Sequence, residues 1–524
     1  MGRIVFALAL LLTALPVGVR AAEPDALAIG FGSAVSSLDP MFHTLTPNNQ
    51  IALHFFDTLI LQDAQQHLLP GLAESWRATD DTHWELELRR GVKFHDGSDF
   101  TAEDAIASFK RVPEVPNSPG PFTIYLRGIL KIEAPDPYSL RITTDGPVPL
   151  LPAMMSRIYI INRKMVDAAT SDFNSGHAMI GTGPFKFVEY VPGDRVVMLR
   201  NDAYWGGKAP WRRVTFRLIT NPTTRIAALR SGDVQLIDRV PTTDIPALKG
   251  DAGFSLVSAA SNRVIYLHVD LSRDGPTPFI TDKAGKPLAK NPLQDLRVRQ
   301  ALSKAVNRPA LVDRVLGGQG IPAGQFLPDG FFGVSPKVKA EAFDPAGAKQ
   351  LLAAAGYPDG FALTLHGPND RYIEDAKTLQ AVAQMWSRIG IETKVEALPY
   401  AGYASRAARQ EFSVFMGGWG SGTGEVTAAL QALVATADAR KGLGTSNWGR
   451  YSNSEFDRVF EHAIAIIDDG ARDRALQQAV EIAVADCAII PLHYEVSSWA
   501  LRKGLSYAGR ADQYTLAVAV KPAS

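Results

Sequence analysis

A single cysteine, Cys487, is the only thiol among the 524 residues. One thiol cannot close an intramolecular disulfide, so stability has to come from packing. Its place also leaves no cysteine near the N-terminus for a thioether-linked lipid. Set beside Ala485, Ala488, Ile489 and Ile490, Cys487 is expected as a buried apolar filler. Charge of one sign is missing as well, because 54 Lys and Arg balance 54 Asp and Glu. The basic residues never form a run, so neither nucleic acid nor an anionic membrane surface is indicated as a partner. Ten histidines are scattered, and neither HExxH nor paired CxxC spacing occurs, so no metal site is expected. No glycine-rich stretch carries the lysine of a phosphate-binding loop or GxGxxG spacing, and Ser421 does not lie in GxSxG. Neighbouring acids such as Asp80-Asp81 and Asp468-Asp469 sit next to turns and read as solvated caps. His493, after Pro491 and beside Tyr494, reads as a hydrogen-bonded structural residue. No cofactor and no catalytic group is implied, so the chain is not expected to be an enzyme.

What is present begins with a leader. Arg3 precedes the apolar run Ile4 to Leu15, then Pro16 and the small-residue end Val19-Arg20-Ala21-Ala22. This is the pattern of a cleaved secretory signal peptide, residues 1–22, with a mature start near Ala22 or Glu23. No second run of about 18 apolar residues follows, so a soluble, exported protein is expected, free in the periplasm. The length exceeds one hydrophobic core, and 46% hydrophobic with 21% charged residues is ordinary for folded chains, so two or three globular domains are expected.

From Leu27 to about Asn201 short strands and turns dominate. Trp84, Leu86 and Leu88 alternate, and Thr101 with Asp104 forms a helix N-terminal signature ahead of Ala105, Ile106 and Phe109. Asp136-Pro137 and Pro192-Gly193-Asp194 each separate two strand-like runs, as in hairpins. Past Leu271 a loop rich in Gly, Pro and Asp marks a boundary, after which helices and strands alternate. Strand 361–365, helix 373–389, strand 391–398, helix 401–410 and strand 412–416 make βαβαβ, hence a parallel sheet.

Ligands of such sheets lie beyond the carboxyl ends of the strands. Those ends are residues 366–370, 399–403 and 417–425. The last places Trp419 in a loop of glycines and hydroxyls, which suits stacking and close backbone approach.

Several stretches together resemble the large periplasmic solute-binding proteins of the oligopeptide, dipeptide and nickel type. They are Leu72-Ala73-Glu74-Ser75-Trp76, Leu88 to Gly97, Thr101 to Asp104, Gly181 to Phe185, Arg200-Asn201, Tyr204-Trp205, Leu296 to Leu302, Tyr451 to Asp457 and Ile490-Pro491-Leu492, in family order. The resemblance implies an α/β, two-lobed periplasmic-binding-protein fold of type II in its large three-domain form. Lobe one would comprise 25–56, 181–265 and 495–524, with an inserted domain at 57–180, and lobe two 266–494. Two hinge strands would join the lobes. The lobes would close over a solute and present it to an ABC permease in the inner membrane, a population shift without a chemical step.

Peptide-binding relatives carry an aspartate for the ligand's amino terminus where this chain has Gly422, and Glu425 is the nearest substitute. The expected solute is therefore peptide-like, an amino-acid conjugate or an opine, bound by a monomer. Expected ligand-binding residues are Asn369, Tyr400, Tyr403, Trp419 as an aromatic wall, Gly420, Ser421, Gly422, Thr423, Glu425 and Asn447. Two other readings stand beside this one: a periplasmic hydrolase of peptides or conjugates, and a solute sensor or chaperone on the same fold.

Overall fold

A computed structural model describes residues 25–523. The leader and the mature start near Ala22 or Glu23 lie outside the described residues. One mixed sheet of twelve strands connects two lobes. In the first lobe Ala26–Phe31 pairs in parallel with Arg213–Leu218, and Arg195–Arg200 and Phe185–Val191 continue the sheet antiparallel. In the second lobe Ala362–Pro368 pairs in parallel with both Glu392–Leu398 and Val414–Gly420. That arrangement is the βαβαβ unit expected from the alternation of strands and helices, with Asp375–Ser387 and Tyr400–Ala408 as its helices.

Two long antiparallel strands, Phe254–Val269 and Ile490–Arg502, belong to both lobes. Phe254–Ala260 pairs with Val496–Arg502 on the first lobe's side. After a register shift, Val264–Leu267 pairs with Ile490–Tyr494 on the second. The interruption leaves Ser261, Asn262 and Arg263 opposite Glu495, where the chain passes from one lobe to the other. Val264 and Tyr266 enter one apolar cluster and Ile265 and Leu267 another. Burial on both faces explains the unbroken run of apolar residues there.

A separate antiparallel sheet, in the order Ala73–Ala78, His83–Leu88, Ser139–Thr144, Ile129–Asp136, packs Trp84, Leu86 and Ile142 into the first lobe's core. Its helix, Ala102–Arg111, starts with a capping box in which Thr101 N donates to Asp104 Oδ2 at 2.9 Å.

Two expectations are corrected. The strand expected to stop at Met416 continues through Gly420, because the backbone ladder with Arg263–Val269 persists whatever the side chains are. Cys487 is not buried but half-buried, just past the helix Asp469–Ala485 and in a left-handed conformation (φ 47°) that turns the chain back toward Ile490. Partial burial still pushes its thiol up to about 11, so it stays protonated. His493 lies buried with neither ring nitrogen hydrogen-bonded. The hydrogen bond read from its neighbours is absent, and packing alone holds the ring.

Candidate functional site

The lobes meet along Val414–Gly420 and the bend that follows it. Ser421 N donates to Asn262 O (3.2 Å), and Ser421 O accepts from Asn262 Nδ2 (2.6 Å) and Gln66 Nε2 (3.1 Å). Gly422 O accepts from Gln62 Nε2 and Gln66 Nε2, both at 3.2 Å. Farther out, Arg127 Nη1 donates to Gly442 O at 2.9 Å, and Thr242 Oγ1 donates to Glu374 Oε1 at 2.9 Å. These contacts link the first-lobe side of the chain to the second.

Gly418 and Gly420 share one side of the strand, since side chains alternate along an extended chain, and Gly422 follows in the turn just beyond it. A Cβ on Gly418 would collide with Tyr372 at 2.6 Å, and one on Gly420 would press on Arg263 Nη2 at 3.0 Å. One on Gly422 would lie 3.4 Å from Tyr125 Oη and 3.5 Å from Arg157 Nε. The glycines therefore let a row of tyrosines and arginines approach the backbone. Arg371 stands next to this row, its guanidinium 5.2 Å from the centre of the Tyr400 ring and 5.8 Å from that of Tyr372. At the crossing between lobes, Glu495 Oε2 accepts from Gln513 Nε2 (3.3 Å) and lies 3.4 Å from Arg263 Nε. Its Oε1 accepts from Ile373 N at 3.3 Å. Burial pushes the hydroxyls of Tyr266, Tyr372 and Tyr403 well above the usual phenol range, so each remains a donor.

The expected site residues fall into two groups. Tyr400 stands over Arg371, and Trp419 is half-buried, packed on the helical cluster of the second lobe with Nε1 unpartnered. Gly420 and Gly422 form the row just described, and Asn369 is exposed beyond the strand Ala362–Pro368.

The polar atoms of the second group are already occupied. Ser421 Oγ donates to Glu425 O (2.7 Å) and lies 3.4 Å from Thr423 Oγ1. Tyr403, fully buried, donates to Met416 O. Asn447 Nδ2 donates to Ala435 O and Tyr451 O, and its Oδ1 accepts from Tyr451 N, which ties up its own loop. Glu425 meets Arg472 Nη1 through both oxygens, at 2.9 and 2.8 Å, so its charge is already neutralised inside the second lobe.

Sequence reasoning missed Arg157, Arg263, Arg371, Tyr125, Tyr372 and Tyr514. Two signals were available. Arg371 directly follows the strand end at 366–370, and Arg157 is the single charge within the run Leu151 to Ile161. Among the described residues no group of three or more His, Cys, Asp or Glu could hold a metal ion, and no helix is long and apolar enough to cross a membrane.

Comparison with known proteins accords with this geometry. The profile of the bacterial extracellular solute-binding proteins, family 5 Middle, matches residues 67–441. Heme-binding protein A of Haemophilus influenzae is 29% identical over 459 residues, covering 82% of this chain and 79% of its own. The glutathione-binding protein GsiB of Escherichia coli K12 is 28% identical over 492 residues, covering 92% and 91%. The solved structure of HbpA2 from Haemophilus parasuis superposes with a TM-score of 0.81 at 25% identity, covering 95% of this chain and 100% of that one. The two-lobed α/β fold is thereby confirmed, and these relatives support neither the hydrolase nor the sensor reading. With more than half of its length matched, the chain belongs to family 5 of the bacterial extracellular solute-binding proteins, the substrate-binding components of ABC importers.

Proposed function

We propose that this protein captures a peptide-like solute or amino-acid conjugate in the cleft between its lobes, as a leader-cleaved periplasmic monomer, and delivers it to an inner-membrane ABC permease. The observation that carries the reading is Arg371. Its guanidinium is stacked near two tyrosines at the carboxyl end of a parallel strand, and its buried Nε has no partner among the described residues. A carboxylate from the solute satisfies that donor, and Tyr372 and Tyr400 supply apolar walls. Trp419 contributes an aromatic wall and its free indole N–H. A curated relative spanning 92% of this chain is named for glutathione, which is a molecule of the proposed size and polarity.

Native mass spectrometry of protein purified from its own periplasm tests the reading. A retained mass of a few hundred daltons, lost on denaturation and absent from Arg371→Gln, is expected. If no compound is retained, and no peptide or conjugate raises the melting temperature, the reading fails. The same spectrum fixes the mature start and the subunit number.

A further inference from the structure

We infer that the solute carries two carboxylates, the second held by Arg157 against the bend at Gly422. This rests on the reading above, in which Arg371 takes the first carboxylate, and it adds the solute's charge and span.

Arg157 is 5% exposed. One of its donors, Nη2, meets Tyr514 Oη at 2.8 Å, while its buried Nε has no hydrogen-bond partner among the described residues. No carboxylate among the described residues lies within ion-pair distance of it. The other buried arginines are provided for differently. Arg111 has Asp39, Arg299 has Asp486, Arg472 has Glu425 and Arg510 has Asp512. Arg308 donates to the carbonyls of Pro491 (2.7 Å) and Ser303 (3.1 Å), and Arg225 to those of Ile219 (2.6 Å) and Arg239 (2.9 Å). Among the described buried arginines, Arg157 alone has neither an acid nor a carbonyl. A buried lysine could shed its proton, but a guanidinium cannot, so the charge persists and requires an anion from outside the chain.

The surroundings point that anion into the cleft. The rings of Tyr125 and Tyr514 flank the guanidinium at 5.8 and 5.9 Å. Across the lobe boundary Gly422 has no side chain, and its carbonyl is held by Gln62 and Gln66. An atom at the missing Cβ of Gly422 stands 3.5 Å from Arg157 Nε and 3.4 Å from Tyr125 Oη. Gly422 thus presents no side chain to Arg157 Nε and Tyr125 Oη, and a carboxylate that pairs with these donors beside the bend touches both lobes, so it favours the closed form. The row from Gly418, beside Tyr372, to Gly422, beside Arg157, spans at most about 13 Å of extended backbone. Two carboxylates that far apart belong to a molecule of di- to tripeptide size, such as an N-carboxyacyl peptide or a dicarboxylic amino-acid conjugate.

The test uses two probes that differ by one carboxylate, N-succinyl-Ala-Ala and N-acetyl-Ala-Ala, titrated calorimetrically into the ligand-stripped mature protein. The succinyl probe is expected to bind roughly ten- to hundredfold more tightly, the worth of one charge-assisted hydrogen-bond pair. Arg157→Gln should bring the two probes within about twofold of each other, and Arg371→Gln should weaken both. Gly422→Asp, in a half-buried bend, gives Arg157 an internal partner and should also erase the preference. It serves if Arg157→Gln does not fold. Equal affinity of the two probes for the folded wild type overturns the inference, and so does a preference that survives Arg157→Gln. In either case, weakening of both probes by Arg371→Gln leaves the Arg371 reading intact. If neither probe binds, both readings fall.

Discussion

Closure of the lobes can be weakened far from the solute, at the contact between Arg127 and Gly442. Arg127 Nη1 donates to Gly442 O at 2.9 Å across the boundary between lobes. Gly442 has φ +62°, and a Cβ there would overlap the Arg127 guanidinium. Two costs of Gly442→Ala therefore separate. The left-handed backbone costs about 1–2 kcal/mol in open and closed forms alike, so it lowers thermal stability without changing affinity. The flexible, exposed Arg127 side chain relieves the overlap by swinging aside, which forfeits its hydrogen bond to Gly442 O, a contact made only when the lobes are shut, so affinity falls. Arg127→Ala removes one half-buried, charge-assisted hydrogen bond worth about 1 kcal/mol, which predicts roughly fivefold weaker solute binding.

The decisive variant is the double substitution. Either substitution alone removes the same hydrogen bond, so Gly442→Ala, Arg127→Ala and the double substitution should each bind about fivefold weaker than wild type, with no further loss in the double. Calorimetry gives the four affinities, and circular dichroism reports the shared loss in melting temperature. If the two affinity defects add in the double substitution, Gly442→Ala does not act through this contact and the reasoning is refuted.

The fold was legible wherever side-chain period and local capping agreed with tertiary pairing. Thr101 with Asp104 announced a helix that the capping box anchors, and the alternation of strands and helices from Phe361 onward announced a parallel sheet. The strand end at Met416 was misread because glycine lowers strand propensity, whereas Gly417 to Gly420 are held by backbone bonds to Arg263–Tyr266, a partner more than 150 residues earlier in the chain. Nothing local in Gly-Gly-Trp-Gly encodes that partner.

The site was half legible for a related reason. Strand ends located the neighbourhood, and Trp419, Tyr400 and Gly422 were named from it. Reading which polar atoms remain free needs the folded environment: Glu425 looks available until Arg472 closes on it, and Asn447 until its amide ties its own loop. The cations that remain come from elsewhere. Arg157 arrives from a segment more than 250 residues before the Gly422 bend, and only its isolation among Leu151 to Ile161 hinted at a special role.

Three further tests separate packing from binding. Glu425→Ala leaves Arg472 buried with only the exposed Asp469 as partner, so about 3 kcal/mol of stability should be lost in urea melts, and an unaltered midpoint would contradict the buried pair. Trp419→Ala should weaken solute binding by roughly 1–3 kcal/mol in calorimetry with folding intact, and unchanged affinity removes the ring from the site. The last concerns pH. Burial lowers His54 to about 4 and His268 and His493 to about 3. For His54 the geometry agrees, since Nδ1 hydrogen-bonds Gln50 O (2.7 Å), which fixes the proton there, and Nε2 accepts from Ala517 N (2.9 Å), leaving no room for a second proton. Below pH about 6.5 the unfolded chain protonates these rings and the folded chain does not. Each then subtracts up to about 1.4 kcal/mol of stability per pH unit as the medium falls toward pH 4, and none contributes a slope above pH 7. Urea unfolding from pH 7.5 to 4.5 should therefore show proton uptake on unfolding that grows below pH 6.5. His54→Asn, which carries no titrating ring, should have a shallower decline than wild type, and parallel curves for the two would show that the buried imidazole is not the proton acceptor.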